Sequence, residues 1–495
     1  MQKALLGIDA GTSAIKAILV TPEGRALAHS DAGYETVSPH SGWAEQSPQE
    51  WWNAAVKAVR TCVEEAGRPE VVGIGVTGMM HGFALVDEHG KMVRPAIVWM
   101  DSRARALVPE IAGHFDRERF WPEVANRIAP GLTLPILLWL TRNEPESLAA
   151  ASALLFPKDY VRFRLTGDTA TDVTDASATL LFHIAERRWN SRLIDHFGID
   201  EGVLPPLRRS DDSLSPLSRE AAEALGLSAG IPVAIGAADQ QASAVATRTL
   251  EPGQIQLMLG TGTQVLSPIA EVADDAAFRD ELGTAGSLNL FCHCDDWILQ
   301  GSVQNGGSAM GWARSVLAAD WSEFVIPDIE SQESSPFFLP YLTGERTPIM
   351  DESALGAFFD LRFGARREEL LYAALEGVAF AAADALEAVL AAQPEAAGGE
   401  IVCGGGGTRQ ADYIKLICDT LNRPLKILDG HNSTATGAAL LGGVAAGIYS
   451  SIAEAASVAG MGTSSSVEPE AESHARLATR RTRRDRVRQA YLGAR

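Results

Sequence analysis

The chain has 495 residues, of which 46% are hydrophobic and 21% charged, with a formal net charge of −21 and five cysteines. That length predicts two or more domains. The acidic balance argues against a nucleic-acid partner, whose phosphates would repel it, and so few cysteines are no disulfide framework. The first residues lack the basic and apolar regions of a signal peptide. The longest dense apolar run, near Leu134–Leu140, is too short to span a bilayer, so the expected location is cytoplasmic, with no membrane partner.

The opening stretch, Leu5 to Val20, runs apolar, through the small residues Ala10-Gly11-Thr12-Ser13, and apolar again, which predicts a β-hairpin. Gly11 permits close approach of a ligand, Thr12 and Ser13 offer hydroxyl and N–H donors to phosphate oxygens, and Asp9 is a hard carboxylate of the kind that holds Mg²⁺. Alone, the stretch reads first as an ordinary hairpin with an aspartate near its turn. Ser47 with Glu50 reads as a capping box with Pro48 in the first turn, predicting a helix from about Pro48 to Ala66. Val71–Val76 reads as a buried strand. Gly73, Gly75 and Gly78 match G-x-G-x-x-G in form but lie within that strand rather than at a helix start, so the dinucleotide reading is rejected. His81, between Met80 and Gly82, is either a structural histidine or a substrate contact.

From Trp99 to about Gly226 the pattern is mostly helical, with breaks at prolines. Ile231–Ile235 then reads as a strand that leads through small residues to Asp239 and a helix. A carboxylate there faces the crevice in which α/β sheets bind ligands; the alternative is a simple helix cap. Glu251-Pro252-Gly253 is a turn and the best domain boundary. Directly after it, Ile255–Leu259, Gly260-Thr261-Gly262 and Thr263–Leu266 repeat the opening device, so each half of the chain begins with a hairpin tipped by phosphate-binding chemistry. Cys292-His293-Cys294 reads as a structural strand with its cysteines on one face, rather than a zinc site. Ile401–Cys403 leads into Gly404 to Gly407 and Thr408, which admit a flat ring or a phosphate, and Thr434–Ala439 begins a small-residue helix. The arginine-rich stretch from Arg476 to Arg495 reads as a surface helix paired with carboxylates elsewhere.

Together these strings resemble the FGGY carbohydrate kinases, and within them the xylulokinase group. The resemblance rests on Gly7-Ile8-Asp9-Ala10-Gly11-Thr12-Ser13, Trp43-Ala44-Glu45-Gln46 with Trp51-Trp52, Met80-His81-Gly82, Pro157-Lys158-Asp159-Tyr160 and Phe338 to Pro348. It extends from about residue 4 to the C-terminal helix. It implies an α/β fold of two actin-like ATPase (ribonuclease H-like) lobes, duplicated around a central cleft: residues 1–248 as a sugar-binding lobe, 249–450 as a nucleotide-binding lobe, and 451–495 as an extension with a basic helix. It implies ATP and Mg²⁺ as cofactors and a small sugar as the other partner; members are often homodimers, though no stretch here identifies an interface. The implied reaction is ATP-dependent phosphorylation of a ketopentose, D-xylulose at O5, with Asp239 as base and Asp9 on Mg²⁺. Gly11, Thr12, Ser13, Gly260 and Thr261 would meet the phosphates, Gly406, Gly407 and Thr408 the adenosine, and Met80, His81, Asp239 and Gln240 the sugar. Ile136, Gln240 and Asp360 depart from the usual pattern and bear on the sugar more than on the reaction. Another pentulose, a pentitol or a deoxy-sugar is the alternative acceptor. A non-catalytic sensor of sugar or nucleotide is the reading from another class, and it would not need Asp239.

Overall fold

The computed structural model describes residues 2–272, 275–284, 286–430 and 432–494; residues 1 and 495, the outer limits of the expected divisions, lie outside the described residues. Strands β1 (Lys3–Ala10), β2 (Ala14–Val20) and β3 (Ala26–Gly33) form an antiparallel meander. Helix α1 (Pro48–Glu65) returns the chain to β4 (Glu70–Gly78), parallel to β1, and the short β5 (Ala237–Ala238) lies parallel to β4. The order across the sheet is β3-β2-β1-β4-β5. Only Lys3 of β1 is exposed, which is why this central strand reads as a continuous apolar run rather than an alternating one. Helix α2 (Pro157–Thr166) packs beside β4, and α3 (Asp239–Ala246) follows β5 directly.

The second half repeats this topology. Strands β6 (Ile255–Leu259) and β7 (Thr263–Ile269) make the second hairpin, β8 (Asn289–His293) and β9 (Asp296–Val303) a third, and helices α4 (Gly307–Val316) and α5 (Arg367–Ala392) follow. Strand β10 (Ile401–Gly404) runs parallel to β6, and α6 (Ala411–Leu421) leads to β11 (Leu425–Leu428). The order β9-β7-β6-β10-β11 matches that of the first sheet position for position, with β8 added beyond β9 and β12 (Thr463–Val467) beyond β11.

Helix α7 (Ser433–Ala445) belongs to the second half by sequence but packs on β1, β4 and α3 of the first. Its approach is backbone to backbone: a Cβ on Gly75 would lie 1.7 Å from the Ala438 carbonyl oxygen, and one on Gly437 would lie 1.7 Å from that of Ala242. Glycine is required at both places by contact distance alone. Residues after 450 are woven into both lobes. Helix α8 (Ile452–Ala459) joins the apolar cluster of Leu5, Ile18 and Ala242, while α9 (Ala471–Gly493) packs on α6. The arginines of α9 do pair with carboxylates, Arg480 with Glu376 and Arg481, Arg484 and Arg488 with Asp384. Yet Arg480 and Arg484 are buried, so the helix is an integral part of the lobe rather than a surface appendage. Burial alone would raise the Asp384 pKa, but the three guanidiniums outweigh it and hold the carboxyl at about 2.

Several local expectations change in the fold. Ser47 does precede α1, but its hydroxyl makes no cap bond. The first turn closes instead on its carbonyl, which accepts from Glu50 N–H at 3.0 Å, and the Glu50 carboxylate accepts from Asn53. The strand expected over Ile231–Ile235 is reduced to a bridge at Val233, followed by β5. Gly236, at φ +85°, bends the chain there, so the N–H groups of Ile235 and Gly236 donate to Asp212 and Ser210 rather than into the sheet. The segment from Trp99 to Gly226 mixes helices with two- and three-residue ladders. Cys292 and His293 lie on β8, but Cys294 has left the strand at φ +47°, and among the described residues no group of three metal-binding side chains occurs. No helix among the described residues is long and apolar enough to cross a membrane.

Candidate active site

Strand pairing sets the site. Ala10 of β1 lies opposite Gly78 of β4, which lies opposite Ala238 of β5. Asp9 is one residue before this line and Asp239 one residue after it. The two carboxylates therefore flank the carboxyl end of β4 from strands two spacings, about 10 Å, apart. Asp9 is buried, and its Oδ2 accepts a 2.6 Å hydrogen bond from Thr434 at the start of α7. Burial raises its pKa, while the Thr434 bond and the charge of Lys16, its cross-strand neighbour, pull against the rise. Its Oδ1 is buried without a partner. A hard anionic oxygen left unsatisfied fits Mg²⁺, and because no group of three metal-binding side chains occurs among the described residues, phosphate oxygens and water would complete the metal's shell.

Asp239 begins α3, so it is the first helical residue and not the cap; its Oδ1 accepts from Gln240 N–H at 2.7 Å. It keeps an edge open to the cleft. Burial, and then the negative charge of Asp9, push its pKa up to about 7. A carboxylate poised near neutrality can both take and release a proton at working pH. Beneath it lies a cluster that the sequence reading did not identify. Lys158, at the start of α2, is fully buried among Asp159, Asp172 and Asp175 at 2.7, 3.2 and 3.3 Å. The Thr174 hydroxyl donates to Asp172 at 2.7 Å and accepts from Ala238 N–H at 2.8 Å. The Pro157-Lys158-Asp159 string thus supports the strand that leads into Asp239.

The first hairpin tip is held from three sides. The Tyr34 hydroxyl donates to the Gly11 carbonyl, Gln46 Nε2 to the Thr12 carbonyl at 2.8 Å, and Trp99 Nε1 to the Thr12 hydroxyl at 3.2 Å. Trp51 in turn orients Gln46 through a 2.9 Å bond, so Gln46 and Trp51 are present to shape this loop. Ser13 is left exposed. The second tip is held by α4: Gly307 N–H donates to the Gly260 carbonyl at 2.9 Å and Ser308 N–H to that of Thr261 at 3.0 Å. Gly260 and Thr261 remain exposed. Beside them, at the carboxyl end of β10, Gly406, Gly407 and Thr408 form a single 3₁₀ turn. A Cβ on Gly407 would lie 2.7 Å from Leu259, whereas nothing lies within 4 Å of one on Gly406, which leaves that side open to a ligand.

Met80 lies in an apolar floor shared by the two halves, with Ala178 and Ala238 from the first and Leu266, Phe291 and Ile298 from the second. His81, at φ +73°, aims its ring across the cleft toward Phe291, 6.3 Å between centroids. Burial lowers its pKa to about 4, against the Ala178 carbonyl that favours its charged form, and the charge of Arg346 adds to the lowering. A neutral imidazole with Nδ1 3.1 Å from the Ala178 carbonyl carries its proton on Nδ1, so Nε2 remains a hydrogen-bond acceptor. The fold thus brings Asp9, Gly11, Thr12, Asp239, Gln240, Met80 and His81 to one end of the first sheet, and Gly260, Thr261 and Gly406–Thr408 to the matching end of the second. Tyr34, Thr434, Lys16 and Arg346 are additions of the structure.

Residues 4–246 match the N-terminal domain, and residues 256–446 the C-terminal domain, of the FGGY family of carbohydrate kinases. The xylulose kinase of Escherichia coli (strain K12) is 31% identical over 457 residues, covering 91% of each chain. That of Bacillus subtilis (strain 168) is 30% identical over 462 residues, 92% of this chain and 90% of that one. Among solved structures, a xyloylose kinase from Brucella ovis superimposes with a TM-score of 0.88 at 30% identity, over 99% of this chain and 100% of that one.

Proposed function

The chain belongs to the FGGY family of carbohydrate kinases, two-lobed ATP- and Mg²⁺-dependent phosphotransferases of actin-like fold, and we propose that its acceptor is a ketopentose, D-xylulose, phosphorylated at O5. The observation that carries this reading is Asp239: a partly open carboxyl with a pKa near 7, beside Met80 and His81 on one side and the phosphate tips on the other. Similarity to xylulose kinases over nine-tenths of the chain supports the choice of sugar.

In this reading Asp239 takes the proton of the sugar hydroxyl as its oxygen bonds to the transferring phosphorus. General-base help of this kind is worth about 10²–10⁴ in rate. Gly11, Thr12 and Ser13 receive the phosphates from one lobe, Gly260 and Thr261 from the other, and Gly406, Gly407 and Thr408 line the adenosine pocket. Mg²⁺·ATP supplies the phosphoryl group and neutralises its charge; Asp9 holds the metal. Met80, His81 and Gln240 position the sugar, and closure of the lobes excludes the water that would otherwise accept the phosphoryl group. We divide the chain functionally at residues 248/249 and 450/451 and place the enzyme in the cytoplasm, where ATP is made available.

ADP release measured over a panel of pentuloses, pentitols and deoxy-sugars tests the acceptor. D-Xylulose is expected to give the highest kcat/KM. Asp239→Ala is expected to lose turnover while sugar and ATP still bind; near-normal turnover would remove Asp239 as base, and a pentitol or deoxy-sugar leading the panel would replace the acceptor.

A further inference from the structure

The loop around Arg346 is fixed to the second lobe with unusual thoroughness. Glu345 is buried, and its carboxylate accepts from Gln304 N–H at 2.6 Å and Arg346 N–H at 2.8 Å. Asn305 Nδ2 donates to the Gly344 carbonyl at 2.6 Å. Thr347 N–H donates to the Ser302 carbonyl at 2.8 Å, and its hydroxyl accepts from Ser302 N–H at 3.0 Å. Residues 344–347 are thereby bound to the end of β9. The Arg346 side chain projects from this base exposed to solvent; among the described residues no carboxylate forms an ion pair with it, although the charges of Glu345 and Glu352 act on it at longer range.

Where it projects follows from β9. Ile298, Gln300 and Ser302 alternate onto one face of that strand. Ile298 lies in the floor under Met80, and Ser302, four residues or about 13 Å further on, holds Thr347. Gln300, between them, is buried with its Oε1 unpartnered, while its Nε2 donates to Gln264 at 2.7 Å. Arg346 stands near enough to His81 for its charge to help keep that imidazole neutral. The far end of the same loop reaches the first lobe, where Glu352 meets Arg105 at 3.7 Å. The cleft is therefore electrically two-ended. Asp239 feels Asp9 and Lys16 on the phosphate side, whereas His81 feels the Arg346 guanidinium, on which the charges of Glu345 and Glu352 also act.

We propose that Arg346 is a specificity-determining residue of the acceptor site, whose guanidinium binds the keto oxygen and neighbouring hydroxyl of an open-chain sugar at the end remote from the hydroxyl that is phosphorylated. This rests on the ketopentose reading above. A guanidinium offers a fork of donors and no acceptor, His81 Nε2 offers an acceptor, and the Gln300 Oε1 a second. That set matches a carbonyl flanked by hydroxyls. A sugar alcohol, with a tetrahedral carbon in place of the carbonyl, presents poorer acceptors to the same fork.

Steady-state kinetics of Arg346→Met and Arg346→Lys, with D-xylulose as substrate and xylitol as competitive inhibitor, test this. Losing charge-assisted hydrogen bonds of this kind is expected to raise the KM for D-xylulose about ten- to hundredfold. The Ki for xylitol should move less than about threefold, and so should the KM for ATP, while Arg346→Lys recovers part of the loss. Since Arg346 is exposed, melting temperatures should match the wild type; if Arg346→Met is unstable, Arg346→Lys decides by the same ratio. Equal weakening of D-xylulose and xylitol, or a fall in kcat with a raised KM for ATP, would overturn the inference. A wild type active on D-xylulose whose Met variant keeps its KM also defeats this inference and leaves the acceptor reading standing; a wild type inert toward every ketopentose defeats both.

Discussion

Replacing Asp239 by asparagine should make the empty protein more stable and the enzyme inactive, and the gain should depend on pH in a predictable way. Asn keeps the Oδ1 acceptor that Gln240 N–H uses but cannot ionise. The wild-type carboxyl ionises near 7 instead of its ordinary 3.8, so between those values the folded state holds a proton that the unfolded chain has released. Stability then falls with rising pH through that window, and the full cost of the buried charge is present only above about pH 7. That cost is about 4 kcal/mol at most, and the open edge of the side chain lets water screen it to about 2–4 kcal/mol. Chemical denaturation of wild type and Asp239→Asn, in chelator and without nucleotide or sugar, reads the difference directly. The stability gap in favour of the variant is expected to widen by about 1–2.5 kcal/mol from about pH 5 to about pH 8.5. A gap constant across that range, or one that narrows, would refute the argument that burial and Asp9 load this carboxyl.

Thr434→Val removes the donor on Asp9 Oδ2 without changing shape; the Mg²⁺ concentration for half-maximal rate should rise about three- to tenfold, roughly 1 kcal/mol, with the KM for sugar unchanged, and an unaltered Mg²⁺ dependence would separate Thr434 from the metal site. Gly75→Ala forces a methyl to within 1.7 Å of the Ala438 carbonyl, and because both partners are backbone it should cost at least about 3 kcal/mol, read as a large drop in melting temperature. Gly311→Ala, where nothing lies within 4 Å of the added carbon inside α4, should instead stabilise by about 0.5–1 kcal/mol. If the two alanines behave alike, close approach of α7 to β4 is not what requires glycine at 75.

The hairpins were legible because their information is local. An apolar run, a Gly-Thr turn and a second apolar run occupy adjacent positions, and their recurrence at Leu259-Gly260-Thr261 announced the duplication that the two sheet orders display. The helix over Pro48–Glu65 was legible for the same reason. The strand before Asp239 was overestimated, since apolar residues at Ile231–Ile235 resemble a strand whether or not a glycine at φ +85° turns them away from the sheet. The capping box at Ser47 failed because the pattern shows which side chains can cap, not which backbone group closes the turn first.

By itself, the amino-acid sequence determined the two repeated units, the residue types at their tips and the family, since each depends on neighbours along the chain. Only the tertiary structure decided how the site works. Thr434 reaches Asp9 across 425 residues of sequence, Lys158 gathers three aspartates beneath β5, and the charge of Arg346, from the opposite lobe, acts on His81. The proton affinity of Asp239 belongs to this second class. It is a property of everything that displaces water around the carboxyl and of the charge on a strand two places away, and no stretch of sequence contains either quantity.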